Sequence, residues 1–260
     1  YVSDSIVYWS RSDETGELTN QINFIDHVNL DGANDVDISL NGQNVYVVSR
    51  LSHSLVYWIR DITTGALTQQ VNILDSIHLH TARGLTVSPD GKQVFVTGFG
   101  SNTLVYWDRD LKTGFLSKQT VITDPTNMKS PTDVKMSPDG TTIYVSARAS
   151  DSVVRWKRNV RTGALTNRQD LVEPLYLDQV HTATVSPGGT HVYTVSYGQD
   201  YVTQWDRNTL TGAMTNPVYM KDSATLNGPV DAAVSPDGRH LYITGHVAPY
   251  TLVHWDRLEM

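Results

Sequence analysis

The 260-residue chain is predicted to fold as an all-β propeller of five four-stranded blades, with six as the alternative count. Three observations carry this prediction. Tryptophan recurs at Trp9, Trp58, Trp107, Trp156, Trp205 and Trp255, at spacings of 49, 49, 49, 49 and 50 residues. A Thr-Gly pair follows five of them and ends at Gly16, Gly65, Gly114, Gly163 and Gly212. A second turn, SLNG, SPDG or SPGG, ends at Gly42, Gly91, Gly140, Gly189 and Gly238 in the same register. Short strands and turns repeating every 40 to 50 residues mark propeller blades. No segment carries a 3.6-residue apolar period, so a helical solenoid is excluded.

One repeat shows how each element arises. Gly84 to Val87 is a short first strand ended by Ser-Pro-Asp-Gly, where Pro presets the turn and Gly accepts positive φ. Gln93 to Thr97 is β-branched and aromatic, which suits a half-buried pleat. The third strand is Thr103 to Trp107, and Asp110 to Gly114 has the length and glycine placement of a bulged hairpin loop. The fourth runs from Leu116 to Val121. First strands begin near Asp35, Gly84, Asp133, Thr182 and Asp231, hence five blades in one domain covering residues 1–260. The N-terminus supplies a third and a fourth strand, and the C-terminus supplies strands one to three of the last copy. Closure is therefore expected through pairing of N- and C-terminal strands, with one third strand left over.

A chain of this length buries enough surface to fold without staples, and it has no cysteine, so disulfides, thiolate zinc sites and a thiol nucleophile are excluded. The net charge of −7 is spread along the chain, which argues against a nucleic-acid partner. No apolar stretch is long enough to span a bilayer. The chain begins at Tyr1 rather than Met, as a processed protein would, so secretion is the expectation, although no Asn-x-Ser/Thr sequon supports it. The leftover strand makes a homodimer an option. No cofactor is expected. His78 and His80 flank Leu79 without a third obvious ligand, and no metal site is expected in the chain.

The stretch SPDGKQVFVTGFGSNTLVYWDRDLKTGFL, from Ser88 to Leu116, resembles a repeat of the lactonase-like (6-phosphogluconolactonase-type) β-propeller family. The register runs through the chain, with degenerate copies at SLNG and SPGG. The resemblance implies a propeller, usually of seven blades, and lactone hydrolysis as an activity. The matching motifs are mostly turn chemistry, which carries fold more than activity. A tryptophan in every third strand departs from that family. Repeated aromatics on a small propeller resemble the β-propeller lectins in architecture and composition.

The repeated Trp-x-Arg decides the functional expectation. Residues two apart on a strand share a face, so Trp9 and Arg11, Trp58 and Arg60, Trp107 and Arg109, Trp156 and Arg158, Trp205 and Arg207, and Trp255 and Arg257 form side-by-side pairs. An indole face beside a guanidinium fork suits the C–H face and hydroxyl rim of a pyranose. The alternative is structural: the pair fills the space between blades, with Arg stacked on Trp or bonded to the neighbouring turn. Tyr57 and Tyr106 precede Trp on the opposite face and are candidate contacts or solvated surface. The expectation is a non-catalytic, multivalent, secreted lectin of haemagglutinin type, with glycans or glycoproteins as partners.

The enzyme alternative places one site in the central channel. Aligned by the repeat, one ring reads Asn34, Arg83, Thr132, His181 and Val230, and the next reads Asp35, Gly84, Asp133, Thr182 and Asp231. Arg83, His181, Asp35, Asp133 and Asp231 near one mouth could support acid/base chemistry. The structural alternative is that the aspartates accept backbone N–H bonds. A protein-interaction scaffold is the third reading.

Overall fold

The computed structural model describes residues 4–221, 226–248 and 250–256. Five blades follow one another around a central channel. Blade 1 comprises Ala33–Ile38, Asn44–Ser49, Ser54–Arg60 and Leu67–Leu74 from channel to rim. Blade 2 comprises Ala82–Val87, Gln93–Gly98, Thr103–Arg109 and Leu116–Thr123. Blade 3 comprises Pro131–Met136, Thr142–Ala147, Ser152–Arg158 and Leu165–Val172. Blade 4 comprises Val180–Val185, His191–Ser196, Tyr201–Arg207 and Met214–Lys221. Blade 5 has three described strands, Pro229–Val234, His240–Gly245 and Leu252–Asp256. A short 3₁₀ turn at Arg148–Ser150 is the one helical element among the described residues, and no helix there is long and apolar enough to cross a membrane.

The strands at the N-terminus, Ser5–Arg11 and Leu18–Ile25, form a separate two-stranded hairpin. Ile6 and Phe24 of that hairpin pack against Trp58 and Val45 of blade 1. The expected closure through mixed N- and C-terminal pairing is therefore corrected: in the sheets of the described residues these two strands pair with each other, and Leu252–Asp256 pairs with His240–Gly245.

The turns behave as their sequence dictates. Gly91 N donates to Ser88 O at 2.7 Å and Gly91 adopts φ +70°, while Ser88 Oγ donates to Asp90 Oδ1. At the other hairpin Asp110 Oδ1 accepts the Lys112 and Thr113 N–H groups.

The core lies between blades, and the repeated motif lies within it. Trp107 packs with Tyr46 and Tyr57 of blade 1, Trp156 with Phe95 and Leu104 of blade 2, and Trp205 with Tyr144 and Val153 of blade 3. Trp58 is 1% exposed. Arg109 Nε donates to Tyr46 Oη at 2.7 Å, Nη2 to Asn44 Oδ1 at 2.6 Å, and Nη1 to Gly91 O at 2.9 Å. Arg207 repeats this on Tyr144 Oη, Thr142 Oγ1 and Gly189 O. Arg158 bonds Gln93 Oε1, Gly140 O and both oxygens of Asp90. Each buried arginine thus ties its own Pro-Asp-Gly-type turn to the second strand of the preceding blade.

Burial corrects the sugar-site reading of these residues. Trp58, Trp107, Trp156 and Trp205 are buried, as are Arg109, Arg158 and Arg207, and Arg60 donates to Gly42 O. A buried indole has no face to give a pyranose. Tyr57 is also buried and Tyr106 packs into the next interface, so this position faces the following blade instead of solvent. Trp255 is half-buried against blade 4. Only Trp9, 44% exposed, and the exposed Arg11 stay open. Arg257 lies outside the described residues.

Candidate active site at the channel mouth

Each first strand carries a register shift at one place: between Ala33 and Asp35, Ala82 and Leu85, Pro131 and Asp133, Val180 and Thr182, and Pro229 and Asp231. An inserted residue re-aims side chains that simple alternation would send to opposite faces. Both aligned rings therefore reach one hollow of about 470 Å³. Its walls include Asn34 with Asp35, Arg83 with Gly84, Thr132 with Asp133, and Val230 with Asp231, besides His181. The five residues of the enzyme alternative, Arg83, His181, Asp35, Asp133 and Asp231, all line it.

Sequence reasoning missed Arg50, Lys135, Arg148, Tyr197 and His246, which also line the hollow. The repeat held the signal. Arg50, Phe99, Arg148, Tyr197 and His246 recur every 49 residues just beyond the second strands. The ring Asp37, Thr86, Lys135, Thr184 and Ala233 lies two residues deeper than the aspartates.

The inner strands are held together by the same groups. Asn34 Nδ2 donates to Arg83 O at 3.0 Å, and Asp35 Oδ2 accepts Leu85 N at 2.9 Å. Thr132 Oγ1 donates to His181 O at 2.8 Å, while Thr182 Oγ1 donates to Asp133. Gly84 is required because a Cβ there would stand 2.5 Å from Asp133 Cα. The aspartates therefore do accept backbone N–H groups, as the structural alternative held, while still facing the hollow.

Two atoms stand apart. His181 Nε2 and Arg83 Nε are buried and have no hydrogen-bond partner in the protein. Neither lacks apolar support: the His181 ring lies 5.7 Å from the Tyr197 ring, and the Arg83 guanidinium sits 4.0 Å over the Phe99 ring. A buried polar atom without a partner costs stability unless something else uses it.

The electrostatics fit a reactive pocket. Burial, then the charges of Arg148 and Arg83, pull His181 down to about 4, so it is neutral at pH 7. Burial, then Arg50 and Arg148, lower Arg83 to about 10, which leaves it charged at neutral pH. Burial and then the Asp133 charge push Asp35 up to about 7. Asp231 is raised for the same two reasons, although its side chain is open to solvent, which screens the effect. Lys135, whose Nζ lies 3.4 Å from Asp133 Oδ1, is raised chiefly by that carboxylate.

These shifts predict opposed pH dependences of stability. Asp35 holds its proton more tightly when folded, so its contribution is present at pH 4 and lost as pH rises toward 7. His181 resists its proton when folded, so its contribution is present above pH 6.5 and lost as pH falls toward 4. In urea unfolding from pH 4 to 7, Asp35→Asn is expected to make stability climb more steeply with pH, and His181→Gln to make it fall. Equal slopes in both variants and wild type would contradict these protonation states.

A larger hollow of about 720 Å³ lies between the hairpin and blade 1, walled by Ile6, Val7, Trp9, Val36 and Ile38. Its charged groups are engaged: Arg11 pairs with Asp13, and Arg60 with Gly42 O. The smaller channel hollow is the chemically equipped one. His78 and His80 do not combine: His78 Nδ1 meets Asp75 at 2.9 Å, whereas the His80 ring packs at a tilt against His53, with centroids 4.7 Å apart.

Fold and pocket together define a β-propeller with one ionisable site at the channel mouth. The Lactonase, 7-bladed beta-propeller family model matches residues 2–174, more than half of the chain, and the chain belongs to that family. No curated protein matches. Among solved structures, a candidate 6-phosphogluconolactonase from Bacteroides fragilis is 16% identical with a TM-score of 0.83, covering 100% of this chain and 75% of its own. One from Bacteroides uniformis is 17% identical with a TM-score of 0.80, covering 98% and 74%. The periplasmic gluconolactonase of Pseudomonas aeruginosa is 15% identical with a TM-score of 0.69, covering 87% and 65%. This family membership overturns the lectin expectation, and with it the haemagglutinin and non-enzyme readings. The tryptophans that suggested a lectin are mostly core.

Proposed function

We propose that the protein hydrolyses a sugar lactone, one bearing an anionic group, at the channel mouth. The observation that carries this reading is that His181 and Arg83, each with a buried side-chain nitrogen (Nε2 and Nε) lacking a hydrogen-bond partner, line one hollow. With its proton on Nδ1, neutral His181 accepts a proton at Nε2 from the attacking water. The water oxygen bonds to the lactone carbonyl carbon, and Arg83 holds the oxyanion that forms. The ring C–O bond then breaks, and the ring oxygen takes the proton from His181 to leave a hydroxy acid. Arg50 and Arg148 add positive charge to the same walls and favour an anionic substrate. Membership of the lactonase family and the names of the solved neighbours support the reaction class.

The test is acid release from gluconolactone and its 6-phosphate in a pH-stat. Saturable turnover above the buffer rate is expected, with preference for the phosphorylated lactone. Hydrolysis of both lactones at the buffer rate would refute the proposal.

A further inference from the structure

We propose that His240, His254 and Asp256 on blade 5 form a site for a zinc ion, separate from the channel. The residues sit on adjacent strands, with His240 directly opposite Asp256 and Tyr242 opposite His254. His240 Nδ1 lies 3.0 Å from Asp256 Oδ1, His254 Nε2 lies 3.1 Å from His240 Nδ1, and His254 Nε2 lies 3.4 Å from Asp256 Oδ1. Ligand atoms on a tetrahedral zinc at about 2.0–2.1 Å stand about 3.3 Å apart, so this near-equilateral triangle has the size of one tetrahedral face. An ion about 1 Å above its plane reaches all three atoms and keeps its last position for water.

Without an ion the arrangement is awkward. His240 Nδ1 faces both a carboxylate oxygen and an imidazole nitrogen, so protons must be shared among three heavy atoms drawn to one point. A divalent ion replaces those protons and satisfies every lone pair at once. Two imidazoles and one carboxylate form a donor set that suits zinc. Tyr242 stacks on His254 at 5.2 Å and fixes that ring.

Blade 4 supplies an internal comparison. His191 and Asp206 occupy the equivalent strand positions and stand 3.8 Å apart, but Gln204 replaces the second histidine. On blades 1 and 3 the position of His240 is Asn44 or Thr142, each bonded to the next blade's arginine. On blade 5, among the described residues, His240 is half-buried and His254 and Asp256 are exposed.

Equilibrium dialysis of the whole chain against Zn²⁺ tests the site. The wild type should hold one saturable equivalent, and His254→Gln, which converts the donor set to that of blade 4, should weaken it at least about tenfold. Asp256→Asn should do the same, and a His78→Gln control should not. Both site changes are on exposed side chains, and an unchanged circular dichroism spectrum verifies folding. No saturable equivalent in the wild type, or full binding retained in both site variants, would overturn the assignment. Lactone turnover plays no part in this readout, so the zinc site and the channel reaction stand or fall separately.

Discussion

Exchanging His181 for Gln is expected to lower kcat for lactone hydrolysis on the order of 10²–10⁴-fold, the usual contribution of a positioned general base. The change should fall on kcat more than on KM, because the imidazole meets the attacking water and not the substrate body. Folding should survive, since His181 Nε2 bonds to nothing in the protein. Arg83→Met should cost roughly 10²–10³-fold, the range for removing one oxyanion donor. Arg148→Met should act differently, raising KM for a phosphorylated lactone more than for the neutral one. Steady-state kinetics on the three variants separate these roles. Undiminished kcat in His181→Gln would remove the imidazole from the reaction, and Asp35, held near neutrality, would become the base to examine.

The second large effect concerns stability and uses one motif in two settings. Arg109→Met should destabilise by about 3–5 kcal/mol, because it removes a buried guanidinium with its three hydrogen bonds and leaves Tyr46 Oη, Asn44 Oδ1 and Gly91 O without that donor. Arg11→Met, on an exposed residue whose one ion pair is 3.7 Å long, should change stability by less than about 0.5 kcal/mol. Urea midpoints at fixed pH decide the matter. Similar losses for both would mean that the repeat is used for something other than joining blades.

These two settings also explain what was readable in the sequence. Turn chemistry and strand patterning are local, so Pro-Asp-Gly, Thr-Gly and the tryptophan period expose the blades directly. The alignment of repeats is enough to gather Arg83, His181, Asp35, Asp133 and Asp231 around one mouth, because repeat register is spatial register. What alignment does not show is the bulge that turns neighbouring residues into one hollow. Nor does it show which side of a third strand is covered. Trp-x-Arg satisfies the chemistry of a sugar site and of a blade joint equally well, and only the position of Tyr46 and Asn44 on the preceding blade separates them. Arg50 and Arg148 escaped notice because they lie past the ends of strands, where patterning gives no expectation.

The arginine joint has a consequence for how such a ring grows. Blades 2 and 3 each carry both halves of the fastener: an arginine that reaches back to the preceding blade, and on the second strand an acceptor that receives the next blade's arginine. A tandem copy of one such unit therefore arrives already compatible with both neighbours, and no matching change elsewhere is needed. The acceptor drifts among Asn44, Gln93 and Thr142 without breaking the fit, since any side-chain oxygen at that spot serves. Cohesion of this kind is nearest-neighbour, so loss of order is expected to travel inward from the ends, one joint at a time.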